Sequence, residues 1–432
     1  MIEVTVVGAG LAGCEAAWQL ARQGIPVRLV EMKPEVYSPA HKREGFAELV
    51  CSNSLKAEHL TNASGLLKAE MEKIGSLILS SAKKARVPAG TALAVDRDLF
   101  SQEVTAALEA HPLIRVERRV VSDIPEEPAI VATGPLTSPA LLDALTALPG
   151  LSALHFFDAA APIVTAESLD MGVLFRQSRN DTGGDYLNSP MDRAQYDAFY
   201  EALTTAELAP LHDFEKNLVF EGCLAVEILA SRGHETLAFG PMRPVGLTDP
   251  RTGKTPYAVV QLRQENEAGT LYNLVGFQTR LKWGEQKRVF SMIPGLENAE
   301  FVRYGVMHKN TYLNSPDILG RNFALSGRPS LRFAGQLTGV EGYVESAASG
   351  LVAGLNLGRS LRGLSEIDFP GESLLGALEA HVRTRTANFQ PMNANFGILT
   401  PLDKRVKGKK IRYEALAARS LQVIDRLLEE NT

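Results

Sequence analysis

Residues 2–31 constrain this chain more than any other stretch. Ile2 to Val7 alternates β-branched residues as a strand does, and Gly8-Ala9-Gly10-Leu11-Ala12-Gly13 follows at once. A helix-forming stretch, Cys14 to Gln23, comes next. Gly24 can end it, and Pro26 to Val30 predicts a second strand that stops at Glu31. This is a βαβ unit in which each glycine has its own task. Gly8 permits the tight turn, Gly10 lets backbone N–H groups approach a pyrophosphate, and Gly13 lets helix and strand pack closely. Glu31, about 20 residues on, is placed to accept a hydrogen bond from an adenosine ribose hydroxyl. Its charge would repel a 2′-phosphate. The pattern therefore predicts a bound adenine dinucleotide that is not NADP.

Two later segments favour FAD. Ala129-Ile130-Val131-Ala132-Thr133-Gly134-Pro135 reads as a short apolar strand ending in a Thr-Gly turn. Arg332-Phe333-Ala334-Gly335-Gln336 reads as another strand ending in glycine. It runs into a predicted helix from about Gly342 to Arg359, rich in small residues. The N-terminus of such a helix can face a pyrophosphate or the negative side of a flavin ring. The segments resemble the second and third FAD-contact segments of glutathione-reductase-like flavoproteins, where the last often ends Gly-Asp; here Gln336 takes the acidic position. The expected fold is α/β: a Rossmann-like FAD-binding domain of the glutathione-reductase type, discontinuous, with an inserted α+β domain. Its parts are residues 1–160 and 325–432, with the insertion at 161–324. The insertion is read from strand-like alternation at Val259 to Leu262 and Leu271 to Phe277. The tail, from about Ser373 to Glu430, reads as helical and basic, interrupted from Asn388 to Pro401. Arg86 to Ala94, with Pro88 and Gly90, reads as a connecting loop.

Composition narrows the classes. No apolar run reaches the ~20 residues of a membrane span, and a first strand beginning at residue 2 predicts no signal or transit peptide. Three cysteines do not make a disulfide framework and point to a reducing, cytoplasmic setting. The eight histidines and three cysteines lack CxxC, HxxxH and HExxH spacings, so neither a metal site nor a disulfide reductase is expected. With a net charge of −5, any nucleic-acid contact must come from local basic clusters.

Cys14, on a small-residue helix face, reads as a small buried hydrophobe. Cys51 stands in a polar loop, Leu49-Val50-Cys51-Ser52-Asn53-Ser54-Leu55-Lys56, on the side where the cofactor binds. Cys223 follows Gly222 before a predicted helical turn, a setting that lowers a thiol pKa. Cys51 and Cys223 are thus the candidate reactive thiols. Among basic clusters, Arg280 to Arg288 carries Lys282 and Arg288 around Trp283, a stacking surface for a base. The run Lys404 to Arg412 is dense enough for self-repulsion to be costly unless phosphates neutralise it.

Longer blocks carry a family resemblance. Gly8 to Leu20, Glu31-Met32-Lys33-Pro34, Leu49 to Lys56, Tyr304-Gly-Val-Met-His-Lys-Asn-Thr, Ala334 to Gly350 and Asn388 to Gly397 together resemble the folate- and FAD-dependent tRNA uracil-5-methyltransferases, the TrmFO family. The related GidA-type wobble-uridine enzymes are longer, with an added C-terminal helical domain. The resemblance implies methylation at C5 of uridine 54 in the tRNA TΨC loop. Methylenetetrahydrofolate would supply the carbon and FAD, reduced by NAD(P)H, the electrons. It implies no membrane and no obligate protein partner. In this scheme one cysteine adds to C6 of uracil and the other assists removal of the C5 proton or handles the carbon carrier. The helix-start setting favours Cys223 as nucleophile and Cys51 in the second role, and the sequence leaves the reverse open. Met32, Thr133, Gly134 and Gly335 join the glycine turn as cofactor contacts. Gln336, Gly339, Glu341 and Tyr343 are expected near the flavin ring. Tyr343 or His308 would stack on the pterin. Lys282, Arg288, Lys404, Lys407, Lys409 and Lys410 are candidates for tRNA phosphate. GidA-like wobble-uridine modification and a small-molecule flavin oxidoreductase are the competing readings; the latter would not need the basic run.

Overall fold

A computed structural model describes residues 2–179, 184–209, 224–305, 307–386 and 389–431. The strand Val4–Val7 is buried along its whole length, as expected of a central strand covered on both faces. It pairs in parallel with Val27–Glu31 on one side and Ala129–Val131 on the other. Ile114–Arg118 extends the sheet beyond the second strand and Arg328–Phe333 extends it beyond the third, both in parallel. A short antiparallel edge, Ala324–Leu325, completes six strands. The fold is thus mixed α/β around a parallel sheet.

The helix Leu11–Ala21 links the first two strands and begins earlier than the predicted Cys14, because the last glycine-turn residues already turn as helix. It lies against the long helix Tyr343–Leu361. A Cβ built at Gly350 would sit 2.1 Å from the Ala12 carbonyl oxygen, and one at Gly354 2.5 Å from that of Ala16. The small-residue stripe of the long helix is therefore a packing surface that lets two backbones touch. Burying a leucine such as Leu20, fully enclosed here, stabilises by about 2 kcal/mol.

One local prediction fails. Arg86 to Ala94 is not simply a loop: Arg86–Val87 and Ala92–Val95 are strands that pair with each other, and Ser54–Ala57 adds on the far side of the latter. Pro88 and Gly90 mark only the turn between them. Strands of two and four residues are too short to show a period of two in sequence.

A second, antiparallel sheet has its own apolar core, which includes Tyr196, Phe199, Phe277 and Phe290. Its central strand is Ala258–Gln264, two residues longer at its C-terminal end than the alternation suggested. Arg303 ends its edge strand, Phe301–Arg303. The chain enters and leaves this region through an antiparallel ribbon of Ala153–Ala159 and Met307–Leu313. Helices Leu374–Arg383 and Lys409–Asn431 close the chain. Glu70, fully buried, accepts hydrogen bonds from the Leu374 and Leu375 N–H groups and from Ser420 Oγ, joining both helices to the body.

Candidate active site

One cavity of about 360 Å³ runs from the glycine turn to the Cys51 loop. At the first end the wall is mostly backbone. Gly8, Ala9, Gly10, Leu11 and Ala12 line it, followed by Glu31 and Met32 from the end of the second strand. Gly8 has φ +96°, and a Cβ there would lie 2.6 Å from the Ala132 carbonyl oxygen, so this turn needs glycine. Gly13 does not line the cavity. Its Cβ would fall 1.8 Å from the Gly8 carbonyl oxygen, which is the close helix–strand packing expected of it. A Cβ on Gly10 would meet no protein atom within 4 Å, and no side chain caps the helix that begins after it. Backbone N–H groups at a bare helix start, facing a cavity, suit a pyrophosphate.

Glu31 is 6% exposed and its carboxylate is already half engaged. Oε2 accepts from the Ala9 N–H at 2.8 Å and Oε1 from the Lys33 N–H at 3.0 Å, which ties the strand end to the turn. Its remaining lone pairs are available to a ribose. Thr133, Gly134, Gly335 and Gln336 join the same wall. Gln336 Nε2 donates to the Glu341 carboxylate, and Glu341 also lines the cavity. The acid missing at position 336 is thus supplied through an amide five residues from its carrier. Gly339 stands outside the cavity wall; it has φ +88° and packs against Phe389.

The second end is built from side chains. Cys51, half-buried, lines it together with Ser52, Lys56 and Tyr343. The Tyr343 hydroxyl lies 2.9 Å from Cys51 Sγ and accepts from the Cys51 and Ser52 N–H groups at 2.8 and 3.2 Å. Lys56 Nζ donates to Glu345 Oε1 at 2.9 Å and Asn393 Oδ1 at 2.6 Å, placing a fixed ion pair beside the cavity. By contrast, Cys14 is fully buried and its Sγ donates to the Ala9 carbonyl. Burial first, then the charge of Glu31, raises its pKa far above the usual range, so this thiol is inert.

Cys223 lies outside the described residues; the helix it was expected to precede begins at Val226. His308 lies in the ribbon strand, in register with Asp158, and its side chain is outside the described residues. Lys282 is ion-paired to Glu207 at 2.6 Å and Arg288 to Glu285 at 2.6 Å, so both cations already have carboxylate partners. Lys404, Lys407, Lys409 and Lys410 are exposed and form no ion pair among the described residues. Lys409 lies over the Tyr413 ring, which stacks on Phe396. Trp283 is 63% exposed and stacks on Tyr304, as the outer ring of a ladder continuing to Phe301.

Sequence reasoning missed Asn310, Gln278 and Asn393 in the wall, and the arginines behind Cys51. Asn393 and Asn310 stand inside two of the resembling blocks, which is the signal that would have found them. Gln278 stands in none. Among the described residues no cluster of His, Cys, Asp and Glu could hold a metal, and no helix is long and apolar enough to cross a membrane.

A family model described as glucose inhibited division protein A matches residues 3–365. The chain is 59% identical over 431 residues to the methylenetetrahydrofolate–tRNA-(uracil-5-)-methyltransferase TrmFO of Heliobacterium modesticaldum, covering 99% of this chain and 98% of that protein. It is 61% identical, at the same coverage, to the protein of that name from Desulforudis audaxviator. Among solved structures, GidA of Aquifex aeolicus matches with a TM-score of 0.71 at 15% identity, over 98% of this chain and 73% of that one, a likeness of fold.

Proposed function

The chain belongs to the glucose inhibited division protein A family and, within it, to the TrmFO methyltransferases, and from that premise we propose that it methylates C5 of uridine 54 in the TΨC loop of tRNA. Methylenetetrahydrofolate is the carbon donor. Bound FAD, recharged by NAD(P)H, supplies the electrons that turn a methylene group into a methyl group. The observation that carries the reading is that one cavity has a dinucleotide cradle at one end and Cys51 at the other.

In this reading residues 1–160 and 325–432 form a discontinuous Rossmann-like domain of the glutathione-reductase type, and 161–324 is the insertion. Gly8 to Ala12, Glu31, Met32, Thr133, Gly134 and Gly335 would hold the FAD, with Gly13 packing the turn behind them. Gln336, Glu341 and Tyr343 would border its ring, and His308 with Tyr343 would receive the pterin. A cysteine thiolate, Cys223, adds to C6 of uracil; the C5–C6 π electrons move toward O4 and make C5 nucleophilic. C5 then bonds the one-carbon unit, and Cys51 assists removal of the C5 proton. Loss of that proton expels the carrier nitrogen from the methylene carbon and leaves an exocyclic C5=CH2; a hydride, which reduced FAD would supply when bound, adds to that carbon, and the C5–C6 double bond returns as the C6–S bond breaks. Lys282, Arg288, Lys404, Lys407, Lys409 and Lys410 face the phosphates.

The test is methyl transfer to an unmodified tRNA transcript with methylenetetrahydrofolate and NADH, beside a transcript carrying cytidine at position 54. Label at C5 only in the uridine transcript is the expected result. No label from protein that demonstrably contains FAD would overturn the reading and leave a small-molecule flavin oxidoreductase in its place.

A further inference from the structure

Three buried or largely buried guanidinium groups and one phenol converge on the Cys51 loop. Arg97 Nη1 donates to the Leu49 carbonyl at 2.8 Å. Arg303 donates to the Val50 carbonyl at 2.9 Å and the Cys51 carbonyl at 3.4 Å. Arg263 donates to Ser52 Oγ and Asn53 Oδ1, both at 2.8 Å. The arginines come from helix Arg97–Glu109, from the edge strand Phe301–Arg303 and from the central strand Ala258–Gln264. Asn53, fully buried, donates in turn to the Val95 and Gln264 carbonyls, so the loop is stitched to two sheets.

The charges here do not cancel. Glu265, 2.8 Å from Arg97, is the one carboxylate ion-paired with any of the three arginines among the described residues. The nearby Lys56–Glu345 pair is balanced within itself. Among the described residues, three guanidinium groups and one carboxylate leave an excess of positive charge behind the cysteine. Burial pushes the Arg303 pKa down to about 10, with repulsion from Arg97 as the next cause and the negative charge of Glu265 opposing the shift. An anion beside it would relieve that repulsion.

Hydrogen-bond accounting gives the direction of the contact at sulfur. A tyrosine hydroxyl has one hydrogen and two lone pairs. The Cys51 and Ser52 N–H groups occupy both lone pairs of Tyr343. The hydroxyl hydrogen is left for Cys51 Sγ, so the sulfur is the acceptor. Burial, and then the charge at Cys51, raises the Tyr343 pKa well above its usual value, which keeps that hydrogen in place.

We propose that Cys51 is held as a thiolate, with Tyr343 donating to its sulfur and Arg97, Arg263 and Arg303 acting as positioning residues that fix its loop and supply the compensating charge. The proposal rests on Cys51 being a reacting group, but its test does not pass through methyl transfer. The FAD-loaded protein is alkylated with iodoacetamide across a pH series, and modification is read by mass spectrometry on the Cys51 peptide, with buried Cys14 as the unreactive control. The wild-type rate is expected to reach half its maximum below about pH 7, against about pH 8.5 for an ordinary thiol. The midpoint should rise by at least one pH unit in Tyr343→Phe and in Arg303→Met, with Arg303→Lys between. Tyr343→Phe keeps the ring, so it tests the proposal even if Arg303→Met does not fold. A wild-type midpoint near that of an ordinary thiol, or a Tyr343→Phe midpoint that stays at the wild-type value, would overturn it. Shifted midpoints in a protein that transfers no methyl group would leave this proposal standing and remove the functional reading instead.

Discussion

The two ends of the cavity are made in different ways. The glycine-turn end is mostly backbone from residues 7–12, and its one anchoring side chain, Glu31, bonds an N–H 22 residues away. The Cys51 end is made of side chains whose partners lie far off in sequence: Arg263 and Asn53 are 210 apart, Arg303 and Val50 253, Tyr343 and Cys51 292. A backbone site requires mainly that side chains be absent. A side-chain site requires each partner at fixed geometry, and here it exists only once the parallel sheet, the second sheet and the long helix have met.

The largest effect is expected at the backbone end. In Gly13→Ala the new methyl falls 1.8 Å from the Gly8 carbonyl oxygen, with main chain on both sides and no rotamer to relieve it. We expect a loss of about 3 kcal/mol or more in denaturant titration and protein that purifies without flavin. Gly10→Ala separates packing from binding. Its Cβ meets no protein atom within 4 Å, so stability should stay within about 1 kcal/mol of wild type while flavin affinity falls. Retention of flavin by Gly10→Ala would place the pyrophosphate elsewhere.

At the other end, Arg97→Met removes a donor to Leu49 and strands the buried carboxylate of Glu265. Removing one partner of a buried pair costs roughly 3 kcal/mol, and adding Glu265→Leu should recover part of it because the carboxylate that lost its partner is removed as well. Should the double variant be no more stable than Arg97→Met alone, the cost would lie in the lost Leu49 contact and not in the charge.

The difference between the two ends also decides what the sequence discloses. The βαβ unit is legible because its period, its glycines and Glu31 lie within one short window. Thr133, Gly335 and the long helix are legible as strand ends and a small-residue stripe, although the stripe turns out to serve contact with Ala12 and Ala16. Arg97, Arg263 and Arg303 are not legible. Each is a single basic residue in an ordinary context, and a buried arginine is defined by partners more than 40 residues away. Searching for density of charge finds Lys282 and Arg288 instead, which the fold pairs with Glu207 and Glu285.

Glu70 extends the comparison beyond the cavity, as a side-chain joint whose partners lie 304 to 350 residues away. Burial raises its carboxyl from 4.5 to about 7, against the hydrogen bonds from Ser420, Leu374 and Leu375. The folded protein therefore holds this proton more tightly than the unfolded chain. The resulting stability is present below about pH 4.5 and is lost as pH rises through about 7. Glu70→Gln should flatten the dependence of the thermal midpoint on pH in that window by an amount equivalent to about 3 kcal/mol, whatever it does to the midpoint itself. An unchanged slope would assign the pH dependence to other groups.

The smallest effect on the fold is expected where exposed side chains have no ion pairs to lose among the described residues. Lys404, Lys407, Lys409 and Lys410 are exposed, and replacing all four by alanine should change stability by no more than about 0.5 kcal/mol. Binding of tRNA should respond differently. Each phosphate contact removed should lower the slope of log affinity against log salt by about one, because one fewer counterion is released. Lys282→Ala should do less. Its ammonium must leave Glu207 before it can meet a phosphate, so contact with RNA exchanges one anion for another. If Lys282→Ala weakens binding as much as a substitution at Lys407, the Glu207 pair opens at little cost, and pairing in the free protein is no guide to which cations meet the RNA.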